Sequence, residues 1–442
     1  MNNLEEVIRF LTEYQWIYKH SNTKYLKSGV LDQFPPGWIG SLRSLNQEEL
    51  NNIPFGRIPQ SLDEDLKEFL RTILRLKVDI PIVQIKEDDK DRRSIKGISP
   101  KKMKEISSLS FQIHQICQKE NIHNLVDLGS GLGYLCQMLF ERHKYKILGV
   151  ECDEERVKSA RLRQEKYFPS SRDCVKFVSH FVTEDSWEFL SQELKKAFEI
   201  HPDNTSLALV GLHACGDLTV TSVRIFQSTE NIRVLAVMPC CYHKMEINSI
   251  GKPLNFPLSQ RFRTVLTSNP AGDEIPRRPF LRLACQQPAS RWKRMSEEEH
   301  KIHGNNMFRR AMLDTLVDTD EEVHRIKKAR ESVIHSDDEF EVAICGFEIR
   351  NRNTGTSMPW KSEHRSKWRI LSRKYFNGGE LSEHLTLLQT TIQEICENMI
   401  LFDRKVYVEE ASAHFRCELL KILDADISPR CVLLLATKTT KS

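Results

Sequence analysis

The chain has 442 residues, 40% hydrophobic and 29% charged, which is enough apolar material for two or three packed units and too much for a disordered polymer. Its 65 Lys and Arg against 61 Asp and Glu leave a formal charge of +4, which excludes a protein whose main task is coating nucleic acid. No apolar run approaches the roughly 18 residues that span a bilayer, and residues 1–10 are polar and acidic where a secretory signal is basic and then apolar, so a cytoplasmic or nuclear protein without membrane attachment is expected.

Residues 1–96 read as a helical accessory region. Leu4, Val7, Ile8 and Leu11 follow a helical spacing, the turn signal Pro35-Pro36-Gly37 breaks it, and a second helix is predicted over 62–76 with Leu66, Phe69, Leu70, Ile73 and Leu74 on one face. The polar stretch 86–96 reads as a linker, with a boundary near Gly97. Ser99 then caps, and Pro100 opens, a helix to about residue 119.

From there short apolar strands alternate with helices. Strands are predicted at 125–128, 147–150, 175–178, 207–212 and 234–237, with helices at 134–142, 154–167, 186–198 and 218–227 between them. Parallel strands need such crossovers, so the fold class is α/β, a Rossmann-like doubly wound sheet over 97–255 with helices on both faces. Past Met245 the alternation stops. A basic, proline-containing insertion fills 256–338, with a helix at 306–316. The C-terminal part, 339–442, is expected to complete the sheet: a helix at 381–399, a strand at 405–408, and an antiparallel hairpin from 418–422 and 431–437 around a loop holding Asp424, Ser428 and Pro429.

The most informative segment is Asp127-Leu128-Gly129-Ser130-Gly131-Leu132-Gly133, where a buried strand meets a glycine-rich turn and then a helix. Small residues there let the backbone bend sharply and approach a ligand. A dinucleotide fingerprint begun at Gly129 would need glycine at 134, where Tyr134 stands, and Asp127 directly before the turn suits a cation and not a pyrophosphate, so a nicotinamide-dependent oxidoreductase is disfavoured. Glu151 ends the next strand, 20 positions after Gly131, the separation at which this kind of fold presents a carboxylate to ribose hydroxyls.

These residues resemble the cofactor site of class I methyltransferases that use S-adenosylmethionine. More narrowly, 99–102, Gly211-Leu-His-Ala-Cys-Gly-Asp-Leu-Thr219 and Pro239-Cys-Cys-Tyr-His243 resemble the methyltransferase-like protein 25 family. The resemblance implies a seven-stranded sheet closed by a hairpin and S-adenosylmethionine as cofactor. Asp127 would then serve the amino group, Gly129, Ser130, Gly131 and Gly133 the methionine part, Glu151 the ribose, and His180 the neighbourhood of the adenine. Of Lys101 and Lys102, on the helix that often closes over the cofactor in this fold, Lys101 is assigned to the cofactor carboxylate, the alternative being a solvated helix face.

The 12 cysteines, in a long chain without an export signal, read as reduced thiols. His213, Cys215 and Asp217 follow the fourth strand, and Cys240, Cys241, Tyr242 and His243 the fifth, neighbours at the ligand-binding edge. His213, Asp217 and His243 are candidate bases, and Tyr242 can stack on or orient a planar substrate. Asp217 can instead cap the helix at Leu218, and the histidines and cysteines can be supporting or packing residues. Two adjacent cysteines rarely both ligate one ion and the spacing is not a CxxC pair, so no metal is expected, an expectation that stoichiometric zinc would overturn.

The methyl acceptor is read as a protein or RNA in preference to a small molecule. The strand-four segment His213-Ala-Cys-Gly lacks the D/N-P-P-Y/F motif of amine-directed enzymes, and nothing points specifically to DNA. Arg277, Arg278, Arg282, Arg291, Lys293, Arg294, Arg309 and Arg310 make the insertion locally basic, which suits RNA, an acidic protein or a plain solvated surface. The alternative function is a cofactor-binding interaction protein with little or no catalysis.

Overall fold

The computed structural model describes residues 3–83, 98–269, 271–286, 289–326, 338–424, 427–428 and 430–439. The linker expected at 86–96, the boundary at Gly97, and Pro429 lie outside them. Among the described residues the strands are β1 (Asn124–Leu128), β2 (Lys146–Glu151), β3 (Val175–Ser179), β4 (Leu207–Cys215), β5 (Ile232–Cys240), β6 (Glu321–Arg325), β7 (Phe347–Asn351), β8 (Ser357–Met358), β9 (Phe415–Lys421) and β10 (Val432–Lys438).

Seven of them form one sheet in the order β3-β2-β1-β4-β5-β10-β9. The first five pair in parallel, and β10 runs antiparallel to both neighbours. The chain moves outward through β1, β2 and β3 and then returns to lay β4 beside β1, so the strand order reverses there and leaves a crevice at the carboxyl ends. Buried residues run almost unbroken along β4 and β5, as parallel strands covered on both faces require. The edge strand β9 alternates more, and its rim is covered by main-chain bonds from Val83 N to Lys421 O (2.9 Å) and from Lys421 N to Pro81 O (2.8 Å). This is the seven-stranded, hairpin-closed α/β fold the sequence resemblance implies.

The helix Pro100–Lys119 starts as read, with the Ser99 hydroxyl accepting from Lys102 N and Pro100 in the first turn. The expected strand at 405–408 is instead part of a single 34-residue helix, Gly378–Ala411. No glycine or proline separates 399 from 405, and Leu401, Arg404 and Val408, all buried, fall at helical spacing. Asp403 on that helix is wholly buried and accepts from Leu258 N (2.7 Å), Ser259 N (2.9 Å) and Ser259 Oγ (2.8 Å), fixing the segment that follows β5.

The described residues fall into two compact units. The sheet lies in the one built from Met1–Arg9, Lys77–Pro288 and Glu394–Ser442; the other comprises Phe10–Leu76 and Ala289–Gln393. In this division residues 338–393 group with the helices of 10–76. The second unit has an aromatic centre in which Phe69 contacts Tyr14 (4.7 Å), Trp38 (5.1 Å) and Phe10 (5.6 Å), and its own small sheet β6-β7-β8. The stretch read as a polar insertion is largely helical, with Phe280, Trp292 and Leu313 buried.

Replacing Asp403 by Ala leaves two buried N–H groups without an acceptor and is expected to destabilise the fold by about 2–4 kcal/mol. Denaturant unfolding checks this; a midpoint equal to wild type contradicts it.

Candidate functional site

The site begins where β1 stops. Gly129 N and Ser130 N both donate to Val150 O at 2.9 and 3.0 Å, so the turn is tied to β2 before the helix Tyr134–His143 starts. Gly131 and Gly133 hold φ of +55° and +73°, the left-handed region where a Cβ is strained. A Cβ on Gly133 would also run into the Phe177 ring, whereas one on Gly131 would meet nothing within 4 Å. The open side of Gly131 faces a cleft of about 1110 Å³ at the strand-order reversal.

Two carboxyl groups stand on this cleft. Glu151 ends β2, and its Oε2 accepts from Gly131 N at 3.0 Å while Oε1 accepts from Asp153 N at 3.2 Å, which leaves lone pairs for further donors. Asp127 is 1% exposed, and the Cys136 thiol donates to its Oδ2 at 3.1 Å. Burial first, and then the charge of Glu151, push the Asp127 carboxyl up to about 7, against the opposing Cys136 hydrogen bond and Lys102. The Ser130 hydroxyl, on the same wall, is buried with no hydrogen-bond partner among the described residues. An orphaned hydroxyl and two acids around a turn open at Gly131 fit a polar ligand carrying a cation and adjacent hydroxyls.

His180 follows β3 and forms the next wall. Its ring stacks on Phe189 at 4.0 Å and its Nε2 meets Ser186 Oγ at 2.8 Å, so its ring nitrogen is already engaged. Lys102, not Lys101, lines the cleft; Lys101 sits off it, 3.9 Å from Glu105. Sequence reasoning missed Leu132 and Phe181, apolar residues 36% and 75% exposed at the mouth, and also Glu105, Lys244 and Asn255. Leu132 and Phe181 carried a readable signal, since each is a large apolar residue in a loop directly after a buried strand.

At the ends of β4 and β5 the expected cluster separates. His213, Cys215 and Asp217 line the cleft. His213 Nε2 lies 3.6 Å from Glu105 Oε2, and Glu105 is buried. Burial raises the Glu105 carboxyl, but hydrogen bonds with His213 and Ser428 outweigh it, with a net result below the ordinary range. Asp217 does not cap its helix with its side chain: Oδ2 accepts from Glu246 N (2.7 Å) and Oδ1 from Asn255 Nδ2 (2.9 Å). Cys240 lies 3.0 Å from Cys215, sulfur to sulfur, and this contact chiefly holds the Cys215 thiol below the ordinary thiol range.

Tyr242 and His243 are elsewhere. Tyr242 is 0% exposed, donates from its hydroxyl to Glu397 (3.0 Å) and lies under the Arg404 guanidinium (5.0 Å from the ring centre). His243 Nδ1 meets Cys285 Sγ at 3.0 Å. Neither lines the cleft, because Cys241 adopts a left-handed φ of +49° and sends the chain into a short helical turn away from it. The basic residues near this turn are tied down as well, Arg278 donating to His243 O (2.6 Å) and Arg277 to Glu274 (2.7 Å).

Residues 101–248 match a protein family described as a methyltransferase domain. A Mus musculus protein named probable methyltransferase-like protein 25 is 24% identical over 276 residues, 59% of this chain and 41% of that protein. A Homo sapiens protein of the same name is 35% identical over 66 residues, 15% of this chain and 10% of that one. The chain thus spans about two fifths of the length of the mouse relative. Among solved structures, plantazolicin methyltransferase BpumL with a triazolic desmethylPZN analog and SAH has a TM-score of 0.25 at 13% identity, covering 91% of this chain and 98% of that one. Coclaurine N-methyltransferase bound to N-methylheliamine and SAH has a TM-score of 0.24 at 9% identity, covering 94% and 98%. Residues 101–248 are thus similar to a methyltransferase domain, and 59% of the chain is similar to part of methyltransferase-like protein 25.

The turn geometry separates two substitutions. Gly131→Ala carries only left-handed strain, about 1–2 kcal/mol, while Gly133→Ala adds the overlap with Phe177, about 1–3 kcal/mol more. Chemical denaturation of both variants should rank Gly133→Ala lower; the reverse order contradicts this turn.

Proposed function

We propose that this chain is an S-adenosylmethionine-dependent methyltransferase whose acceptor is a protein or an RNA. The observation that carries the reading is the pair of carboxyl groups, Asp127 and Glu151, brought together on one cleft by the Gly129–Gly133 turn, within the segment that matches a methyltransferase domain. Asp127 would hold the amino group, the turn and the orphaned Ser130 hydroxyl the methionine part, Glu151 the ribose hydroxyls, Lys102 the carboxylate, and His180 with Phe181 the adenine side. The cofactor supplies a methyl group made electrophilic by its sulfonium.

The protein's part is alignment, exclusion of water and removal of a proton. His213 is the base this arrangement favours, since it lines the cleft with the buried Glu105 3.6 Å away to orient it. Asp217 spends both oxygens on Glu246 and Asn255 and so serves to shape the cleft rim. The cleft, about 1110 Å³, exceeds the roughly 300–1,000 Å³ of common small-molecule sites, leaving room for part of an acceptor beside the cofactor. Its exposed Phe181 suits a stacking base or an apolar side chain at the mouth.

Calorimetry with S-adenosylmethionine tests the cofactor reading. Glu151→Ala is expected to weaken binding by about 10–100-fold through lost charge-assisted hydrogen bonds. The pH dependence follows from Asp127. Its carboxyl is pushed up to about 7, so below that pH the free protein holds a proton that a bound ammonium displaces. Affinity should therefore rise between about pH 6 and 7.5, and Asp127→Asn should flatten the rise. No binding to folded protein, or affinity falling over this range, contradicts the reading. Labelled methyl transfer into protein and RNA fractions, wild type against Gly131→Arg, then identifies the acceptor. Binding without transfer to either would favour the non-catalytic binding protein.

A further inference from the structure

Successive residues of a strand point to opposite faces, so Cys240 and Cys241 at the end of β5 should not reach one point. The left-handed φ of +49° at Cys241 removes that obstacle. A residue with a Cβ pays for this conformation and keeps it only where its surroundings impose it, most often at functional positions. The result is a convergence of three sulfurs. Cys215 and Cys240 face each other in the β4–β5 ladder with Sγ atoms 3.0 Å apart, and the Sγ atoms of Cys215, Cys240 and Cys241 all lie within 4.8 Å of one another. Three thiolates on a tetrahedral zinc at ~2.3 Å stand ~3.8 Å from one another. The observed spread brackets that value.

The electrostatic surroundings agree. Arg404 is 1% exposed, and its Nη1 and Nη2 have no hydrogen-bond partner among the described residues. Tyr242 and Asp403 act on its charge most, followed by Asp217 and Cys240, while His213 and Lys244 act on Cys215. A buried guanidinium with two unpartnered nitrogens is favoured by negative charge nearby, and Cys240 is one of the groups close enough to supply it beside Asp403 and Asp217. Three thiolates around a divalent ion carry a net charge of minus one and supply it.

We propose that Cys215, Cys240 and Cys241 form a three-thiolate zinc site on the wall of the cleft. Thiolate ligands select a soft or borderline ion. Three protein ligands leave the fourth tetrahedral position for water or a donor atom of another molecule, as in zinc sites that are not purely structural. Cys215 itself lines the cleft, which gives the ion a route in. Binding replaces the thiol protons, which leave to solvent.

The test uses the full chain, purified under reductant, incubated with Zn²⁺ alone, desalted and analysed for metal, with Co²⁺ substituted in parallel. About one zinc per chain is expected, with the charge-transfer absorption of a tetrahedral cobalt thiolate site. Cys241→Ser, whose folding is checked by its thermal transition, should bind zinc at least about tenfold more weakly, while Cys345→Ser, in the other unit, should not. Less than about a tenth of a zinc per reduced wild-type chain overturns the proposal, whatever the variants do. Full zinc retention by Cys241→Ser, or binding of Cu⁺ but not Zn²⁺, also overturns it.

Discussion

A carboxyl group removed from water at the end of β1 is the constraint around which the site is organised. Burial favours the neutral form of Asp127, and the nearby Glu151 adds to the cost of ionising it. A fold that only needed to be stable would pair such a group with a cation or replace it. Here a thiol, Cys136, is its hydrogen-bond partner, and under the proposed function the carboxyl ionises when the ammonium of the cofactor arrives. The β1–β2 register, with Asp127 opposite Gly149, and the ties from Gly129 and Ser130 to Val150 hold the two acids on the same edge. Phe177 fills the space that side chains at Gly133 and Gly149 would take, so the turn is packed from beneath and open above.

The opposite wall depends on one backbone conformation. Because Cys241 turns left-handed, the compact motif Cys240-Cys241-Tyr242-His243 splits into two environments. Its thiols gather with Cys215 beside the cleft, and Tyr242 enters a buried network with Glu397 and Arg430 that anchors the start of β10 to the long helix. On this wall His213 and Cys215 therefore line the cleft, while Tyr242 is buried at the sheet edge.

The sequence made the local parts of this legible. Strand and helix alternation, the Ser99 cap, the glycine turn and the acid ending β2 all depend on short-range spacing, and each falls where it was read. Features set by helix phase or long-range packing were not legible. Lys101 and Lys102 differ by one position, about 100° around a helix, and only the packing of Pro100–Lys119 decides that Lys102 reaches the cleft. Residues 405–408 have a strand-like composition, yet the uninterrupted helix and its buried face override it. Cys241 shows the same limit, since nothing in the run Cys240-Cys241-Tyr242 marks a left-handed backbone. The grouping of 10–76 with 289–393 is a pattern of contacts between remote segments, for which composition carries no signal.

The most direct test of the central claim is a crystal structure of the chain grown with S-adenosylhomocysteine. The account predicts its amino group on Asp127 and its ribose hydroxyls on Glu151, with the amino-acid portion over Gly131 and against Ser130. A ligand bound elsewhere, or one in this cleft with Asp127 and Glu151 beyond hydrogen-bonding reach, would contradict it.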